Sequence, residues 1–309
     1  MKRPFKSITC ATRALCLTMS ASGLTSVVHR AAAQAADSSA PWQAVEQTLG
    51  RRPAMSPGGI RRFGFARGDL RVTVGDVQLL PALALGSWVA FRPEGTVATL
   101  MGDLVLTEDE LTPVQDRLIH GGIAITAVHN HLLHEAPRVM YVHIHGHGAP
   151  QRLAEAIHAA LALTKTPLGT PPAVMPVRID LDTAAIATAL GFHGSVNGGV
   201  YQVGVPRAGV IRDGGLPVAP AMGVATAINF QPLGSGRAAT TGDFVMTASE
   251  VQPVVRALRA AGLTITALHG HMTDEQPRLF FMHFWGEGDA VALARGLRTA
   301  LDRMAIKRS

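Results

Sequence analysis

Apolar positions cluster near residues 70–74, 88–91 and 98–106, after a short helical pattern at about 43–49, and predict three strands behind a helix. Thr107-Glu-Asp-Glu110 then has the form of a capping box, with Thr107 as N-cap and Glu110 three residues on. Leu111, Val114, Leu118 and Ile119 follow at helical spacing. Residues 123–129 read as a buried strand and 138–145 as a second, joined by a short loop that holds Pro137. Leu153, Ile157 and Leu161 place a helix over 152–163. The order β-α-β-β-α, with extra strands before it, predicts an α+β fold with a mainly antiparallel sheet and flanking helices.

The pattern occurs twice. Gly102-Asp-Leu-Val reappears as Gly242-Asp-Phe-Val, and Thr126-Ala-Val-His-Asn-His131 as Thr266-Ala-Leu-His-Gly-His271. Pro137-Arg138 matches Pro277-Arg278, and His143 matches His283 at the same offset. Thr247 and Glu250 repeat the capping box. A tandem duplication of a unit of about 125 residues explains this. It divides the chain into repeat 1 (42–164), a Pro-rich linker (165–177) and repeat 2 (178–305). The two units are expected to pack on each other as a pseudo-twofold pair, with a shared sheet as one way of doing so.

Charge is unevenly placed. Of 28 Lys and Arg, five (Lys2, Arg3, Lys6, Arg13, Arg30) lie in the first 35 residues, leaving 23 against 22 Asp and Glu. With that segment removed, no cationic excess remains to drive nucleic-acid binding. The segment itself has a basic start, a moderately apolar run over 11–28 and Ala31-Ala-Ala-Gln-Ala35, the small-x-small pattern of a cleaved signal peptide over 1–35. The mature protein is therefore expected in the periplasm or secreted. Both cysteines, Cys10 and Cys16, fall in the leader, so the mature chain has no thiol for a disulfide or a metal. Arg13-Ala-Leu-Cys16 lacks a lipobox, and no lipid anchor is expected. Outside the leader no apolar run is long enough for a membrane-spanning helix.

Histidine carries the chemistry. Nine of the 13 fall in two windows, one with His129, His131, His134, His143, His145 and His147, the other with His269, His271 and His283. Alternate residues of a strand share a face, so His129 and His131 are expected side by side, with His143 and His145 opposite if the next strand pairs with theirs. Imidazoles so placed suit a divalent metal with Zn–N near 2.1 Å. The spacing H-x-H-x₃-E recurs as His129/His131/Glu135 and His269/His271/Glu275, and a carboxylate there is a fourth ligand or a general base. The expected sites are thus His129, His131 and His143 with Glu135 in one repeat, and His269, His271 and His283 with Glu275 in the other. Zn is the leading metal, with Fe, Mn, Ni and Cu also compatible. A histidine cluster without metal is the competing reading, since duplication copies structural residues as readily as ligands.

The repeats also differ. His145 corresponds to Trp285, His147 to Glu287, His134 to Asp274 and Asn130 to Gly270. Asp103 and Asp243 could orient a ligand histidine, though Gly-Asp is also ordinary turn chemistry. Arg138 and Arg278 could meet an anionic group or pair with Glu135 and Glu275.

Met101-Gly-Asp-Leu-Val-Leu106, Thr126-Ala-Val-His-Asn-His131, Pro137-Arg-Val-Met-Tyr-Val-His143, Asn229-Phe-Gln-Pro232, Thr241-Gly-Asp-Phe-Val245 and Pro277-Arg-Leu-Phe-Phe-Met-His-Phe-Trp285 together resemble the LppY/LpqO lipoprotein-like family. The resemblance spans about 42–301. It implies export and the two-repeat plan and implies no activity. H-x-H-x₃-E is also similar to the first metal motif of cupins, but helices flank it here, so the spacing is read as convergence. No serine-nucleophile elbow, phosphate loop or dinucleotide fingerprint occurs. The sequence therefore points to a metal-dependent hydrolase, or to a non-catalytic protein that binds metal or a small ligand.

Overall fold

The computed structural model describes residues 40–169 and 178–307. The expected signal peptide and most of the expected linker lie outside them. Repeat 1 runs α1 (Ala40–Leu49), β1 (Ala54–Ser56), β2 (Ile60–Ala66), β3 (Thr73–Val74), β4 (Val77–Gln78), α2 (Pro81–Ala84), β5 (Gly86–Glu94), β6 (Val97–Thr107), α3 (Glu108–His120), β7 (Ala124–His129), β8 (Glu135–Ala136), β9 (Val139–Gly148) and α4 (Pro150–Leu161). Repeat 2 runs α5 (Thr183–Leu190), β10 (Ser195–Asn197), β11 (Val200–Pro206), β12 (Ile211–Asp213), β13 (Leu216–Val218), a 3₁₀ turn (Pro220–Met222), β14 (Ala225–Gly234), β15 (Arg237–Thr247), α6 (Ala248–Ala260), β16 (Thr264–His269), β17 (Glu275–Gln276), β18 (Leu279–Asp289) and α7 (Ala290–Leu301). Two similar α+β repeats result.

Each repeat has its own six-stranded antiparallel sheet, in the order β1-β2-β5-β6-β9-β7 and, equivalently, β10-β11-β14-β15-β18-β16. Among the described residues no strand is shared between the two sheets. The predicted capping boxes form: the backbone N–H groups of Thr107 and Thr247 donate to Glu110 and Glu250 at 2.9 and 2.7 Å. Those glutamates also bind arginines that helix periodicity does not reveal. Arg67 reaches Glu110 at 2.7 Å, and Arg207 reaches Glu250 at 2.7 Å, tying the β2 and β11 ends to the α3 and α6 starts.

Period-two alternation sorts the sheet faces. In β6, Leu100, Leu104 and Leu106 join a core with Leu118, Leu153 and Ile157 of the helices. Asp103 and Met101 alternate with them and so lie on the opposite face. In β9, Val142 and Ile144 face the helices. Tyr141, His143, His145 and His147 therefore share with Asp103 the face turned away from α3 and α4. Gly-Asp is no turn here. Gly102 and Gly242 lie mid-strand, where a Cβ would meet the Trp88 carbonyl oxygen at 2.7 Å and the Ala227 carbonyl oxygen at 1.9 Å. Glycine is needed because the neighbouring strand passes so close.

Candidate metal centre

β7 ends at His129, so His131 lies beyond the strand rather than in it. The expected face-sharing by strand alternation therefore does not place His131. Its segment is held instead by Asn130, whose amide donates to the Leu132 carbonyl at 2.8 Å and to the Thr266 carbonyl at 3.0 Å. A bulge between Ile125 and Ala127 sets the register, so Ala127 faces His143 and His129 faces Tyr141. Repeat 2 copies this, with Ala267 facing His283 and His269 facing Phe281.

The six histidines gather in one place. His129 stacks on His269 with centroids 3.6 Å apart, His131 on His283 at 3.7 Å, and His143 on His271 at 3.6 Å. Every pair joins one repeat to the other. Tyr141 and Phe281 close the ends, stacked on His131 at 3.3 Å and on His271 at 3.4 Å. Thr126 Oγ1 donates to the His271 carbonyl at 2.6 Å, and Thr266 Oγ1 to the His131 carbonyl at 2.5 Å. These are the same contact with the repeats exchanged, the pattern a twofold relation produces.

Tautomers follow from the second nitrogen of each ring. His283 Nδ1 lies 2.9 Å from the Gly242 carbonyl, and His143 makes the equivalent bond to Gly102. His129 and His269 Nδ1 sit 3.2 and 3.1 Å from the carbonyls of Asn130 and Gly270. A carbonyl only accepts, so Nδ1 carries the proton and Nε2 presents a lone pair. The Nε2 atoms of all six rings are buried without a hydrogen-bond partner. Leaving such an atom unsatisfied costs about 1–3 kcal/mol. Two groups of donor atoms lie within 4.8 Å of one another: His129, His269, His271 and His283, and Asp103, His129 and His143. They share His129, so they are not two independent sites.

Asp103 Oδ2 is 3.7 Å from His131 Nε2 and 3.9 Å from His143 Nε2, and Asp243 Oδ2 is 3.5 Å from His271 Nε2. Burial raises Asp103 to about 7, with Arg62 opposing the shift. Asp243 is raised well above the usual carboxylate range by burial and by Asp103. Burial lowers His129 to about 3 and His269 to about 4. His131, His143, His271 and His283 are held well below the usual imidazole range, first by burial and then by neighbouring imidazoles. All six are neutral at neutral pH, the state a metal ligand requires.

Glu135 and Glu275 come from the segments after β7 and β16, and Glu135 Oε1 is buried without a partner. Each sits in a two-residue strand, opposite Val74 and Asp213. Glu275 accepts from the Leu279 backbone N–H at 3.0 Å and from Arg278 at 3.2 Å. Neither glutamate belongs to the two donor groups. Arg138 sits 3.9 Å from Glu108 at the surface. Arg62 was missed by sequence reading. It is half-buried over the Trp88 ring at 3.7 Å, is lowered to about 10 by desolvation and faces Asp103. Repeat 2 has no arginine there, which removed the signal that repetition gave elsewhere.

Two cavities border the centre. One of about 880 Å³ is lined by Arg62, Asp103 and His131 together with Asp243, His271 and His283. The other, of about 360 Å³, reaches His143 and His271 from the side of His145 and His147.

Fold and site define a protein built from two copies of one α+β unit with a buried histidine centre. The chain belongs to the family described as Domain of Unknown Function (DUF1259), whose model matches residues 43–163 and 184–303. No curated protein matches it. Among solved structures it is similar to the trimeric bacterial microcompartment shell protein PduB, at 12% identity over 84% of this chain and 98% of that one, with a TM-score of 0.22. EtuB from Clostridium kluyveri is similar at 10% identity over 81% and 90%, with a TM-score of 0.19. No helix among the described residues is long and apolar enough to cross a membrane.

Proposed function

We propose that the six histidines form one divalent-metal centre shared between the repeats, which pack on each other around it. The observation that carries this reading is the set of six buried Nε2 atoms with no partner, four of them left with a free lone pair because Nδ1 is anchored to a carbonyl. Two ligands on a tetrahedral ion with bonds near 2.1 Å stand about 3.4 Å apart. The Asp–His separations of 3.5–3.9 Å approach that value and are too long for hydrogen bonds. Imidazole donors with a flanking carboxylate suit Zn first, with Fe, Mn, Ni and Cu also accommodated.

The two cavities beside the centre favour a catalytic role, as a metal-dependent hydrolase, over a carrier that only holds the ion. A bound ion would supply an acidified water. Asp103 and Asp243, rather than Glu135 and Glu275, stand where they could take its proton or complete the ligand set. A non-catalytic protein that binds metal or a small ligand is the second reading, and the same donor set supports it. The leader over 1–35 and the LppY/LpqO likeness support export to the periplasm or beyond. Elemental analysis of tag-free protein tests the centre. About one or two equivalents of a single metal per chain are expected, removable by chelator and restored by Zn. Protein that stays metal-free after exposure to Zn, Fe, Mn, Ni and Cu would remove the proposal.

A further inference from the structure

The lining of the smaller cavity differs in kind from the equivalent residues of the other repeat. His143, His145 and His147 occupy alternate positions of β9 and line it together. Alternate strand residues stand about 6.6 Å apart. Side-chain exposure falls along them from 55% at His147 to 34% at His145 and 6% at His143. Each has a carboxylate beside it: Glu94 at 3.5 Å from His147, Asp213 at 3.4 Å from His145 and Asp103 at 3.9 Å from His143. At the equivalent places in β18 stand His283, Trp285 and Glu287. Trp285 packs there against a cluster that includes Val74, Leu83 and Leu132. Asp213 itself replaces Val74 of the other repeat, since each pairs with the equivalent glutamate. At these positions one repeat thus presents an apolar cluster, and the other an open row of imidazole–carboxylate pairs.

We propose that this row is the entry path for the metal ion, from His147 at the surface through His145 to the buried centre at His143 and His271. The inference rests on the metal centre proposed above. The path suits an ion that exchanges water for imidazole and carboxylate, Zn²⁺ or Cu²⁺. Met101, Met222 and Met272 line the same cavity as part of a buried apolar cluster, so the imidazole–carboxylate row is its polar wall. The pairs at 3.4–3.9 Å leave room for an ion to replace the direct contact at each step.

The test is the rate of metal uptake by chelator-stripped, full-length protein, followed with Zn²⁺ and separately with Cu²⁺ by competition against a chromophoric chelator. His145→Trp installs the side chain found at the equivalent position of repeat 2, and the exposed His147→Gln is a milder second variant. Both are expected to slow uptake about tenfold, the lower end of what losing one ligand-supporting contact does, while the final metal content stays at the wild-type value. Uptake at the wild-type rate in both variants would overturn the entry path and leave the centre standing. A loss of final metal content in the exposed His147→Gln would overturn it too, by making that residue part of the centre. Wild-type protein that takes up neither ion would bring down the metal centre itself, and the path with it.

Discussion

His129 and His269, at equivalent positions of the two repeats, lie face to face with ring centroids 3.6 Å apart. Two imidazoles so close and so buried cannot both be charged. Burial, with the second ring adding to it at His129, holds them at about 3 and about 4.

Acid should therefore destabilise the metal-free protein. Above about pH 6.5 these histidines are neutral folded or unfolded and contribute no pH dependence. Below it the unfolded chain binds protons that the folded chain refuses, so stability falls as pH falls. Asp103 and Asp243 work in the other direction, since their raised values let the folded state take protons first. Six histidines outweigh two aspartates. The Tm of the stripped protein should be lower at about pH 5 than at about pH 7.5. A flat or rising Tm toward acid would contradict the neutral buried cluster.

Thr126 and Thr266 cross between the repeats to the carbonyls of His271 and His131. Thr126→Val or Thr266→Val leaves a carbonyl without its donor and should cost about 1–3 kcal/mol. By the exchange of repeats, the two single variants should lose similar stability in denaturant unfolding. A marked difference between them would show that the two contacts are not equivalent.

Arg67 and Arg207 are buried and paired with Glu110 and Glu250. Arg67→Leu or Arg207→Leu strands a carboxylate that also caps the following helix. Breaking a buried pair from one side costs about 3–5 kcal/mol. Chemical denaturation should show a loss of that size for each variant. A loss under about 1 kcal/mol would mean the pair behaves as a surface one.

The carboxylates separate by position. Asp103→Asn and Asp243→Asn should each weaken metal binding about 10–100-fold. Glu135→Gln and Glu275→Gln should lower stability and leave metal affinity near wild type. Metal titration monitored by calorimetry distinguishes the four. The opposite ranking would restore the glutamates to the centre.

Much of this was legible in the chain because duplication wrote it twice. The repeated Thr–Glu capping boxes, the paired histidine strands and the six shared histidines all carry a fixed offset, and the α+β plan followed from their order. Three features were hidden. The spacing H-x-H suggested one strand face, but the strand ends at His129 and His131 arrives by a loop, which local periodicity does not encode. Glu135 and Glu275 sit at ligand spacing in sequence, and in space they lie in two-residue strands opposite Val74 and Asp213, a pairing that spacing does not encode. The proposed assembly of one centre from two repeats depends on which sheet face turns away from the long helices, a tertiary property. Gly102-Asp103 looked like turn chemistry because close approach of the next strand leaves the same residue signature as a turn.

The central claim is that both repeats serve one centre. The direct test is metal per chain in two variants, His129→Ala/His131→Ala/His143→Ala and His269→Ala/His271→Ala/His283→Ala, each checked for folding by circular dichroism. A shared centre requires that either triple variant, still folded, lose essentially all of the metal bound by wild type. Retention of about half in each would show two independent sites, one per repeat, and would contradict the account.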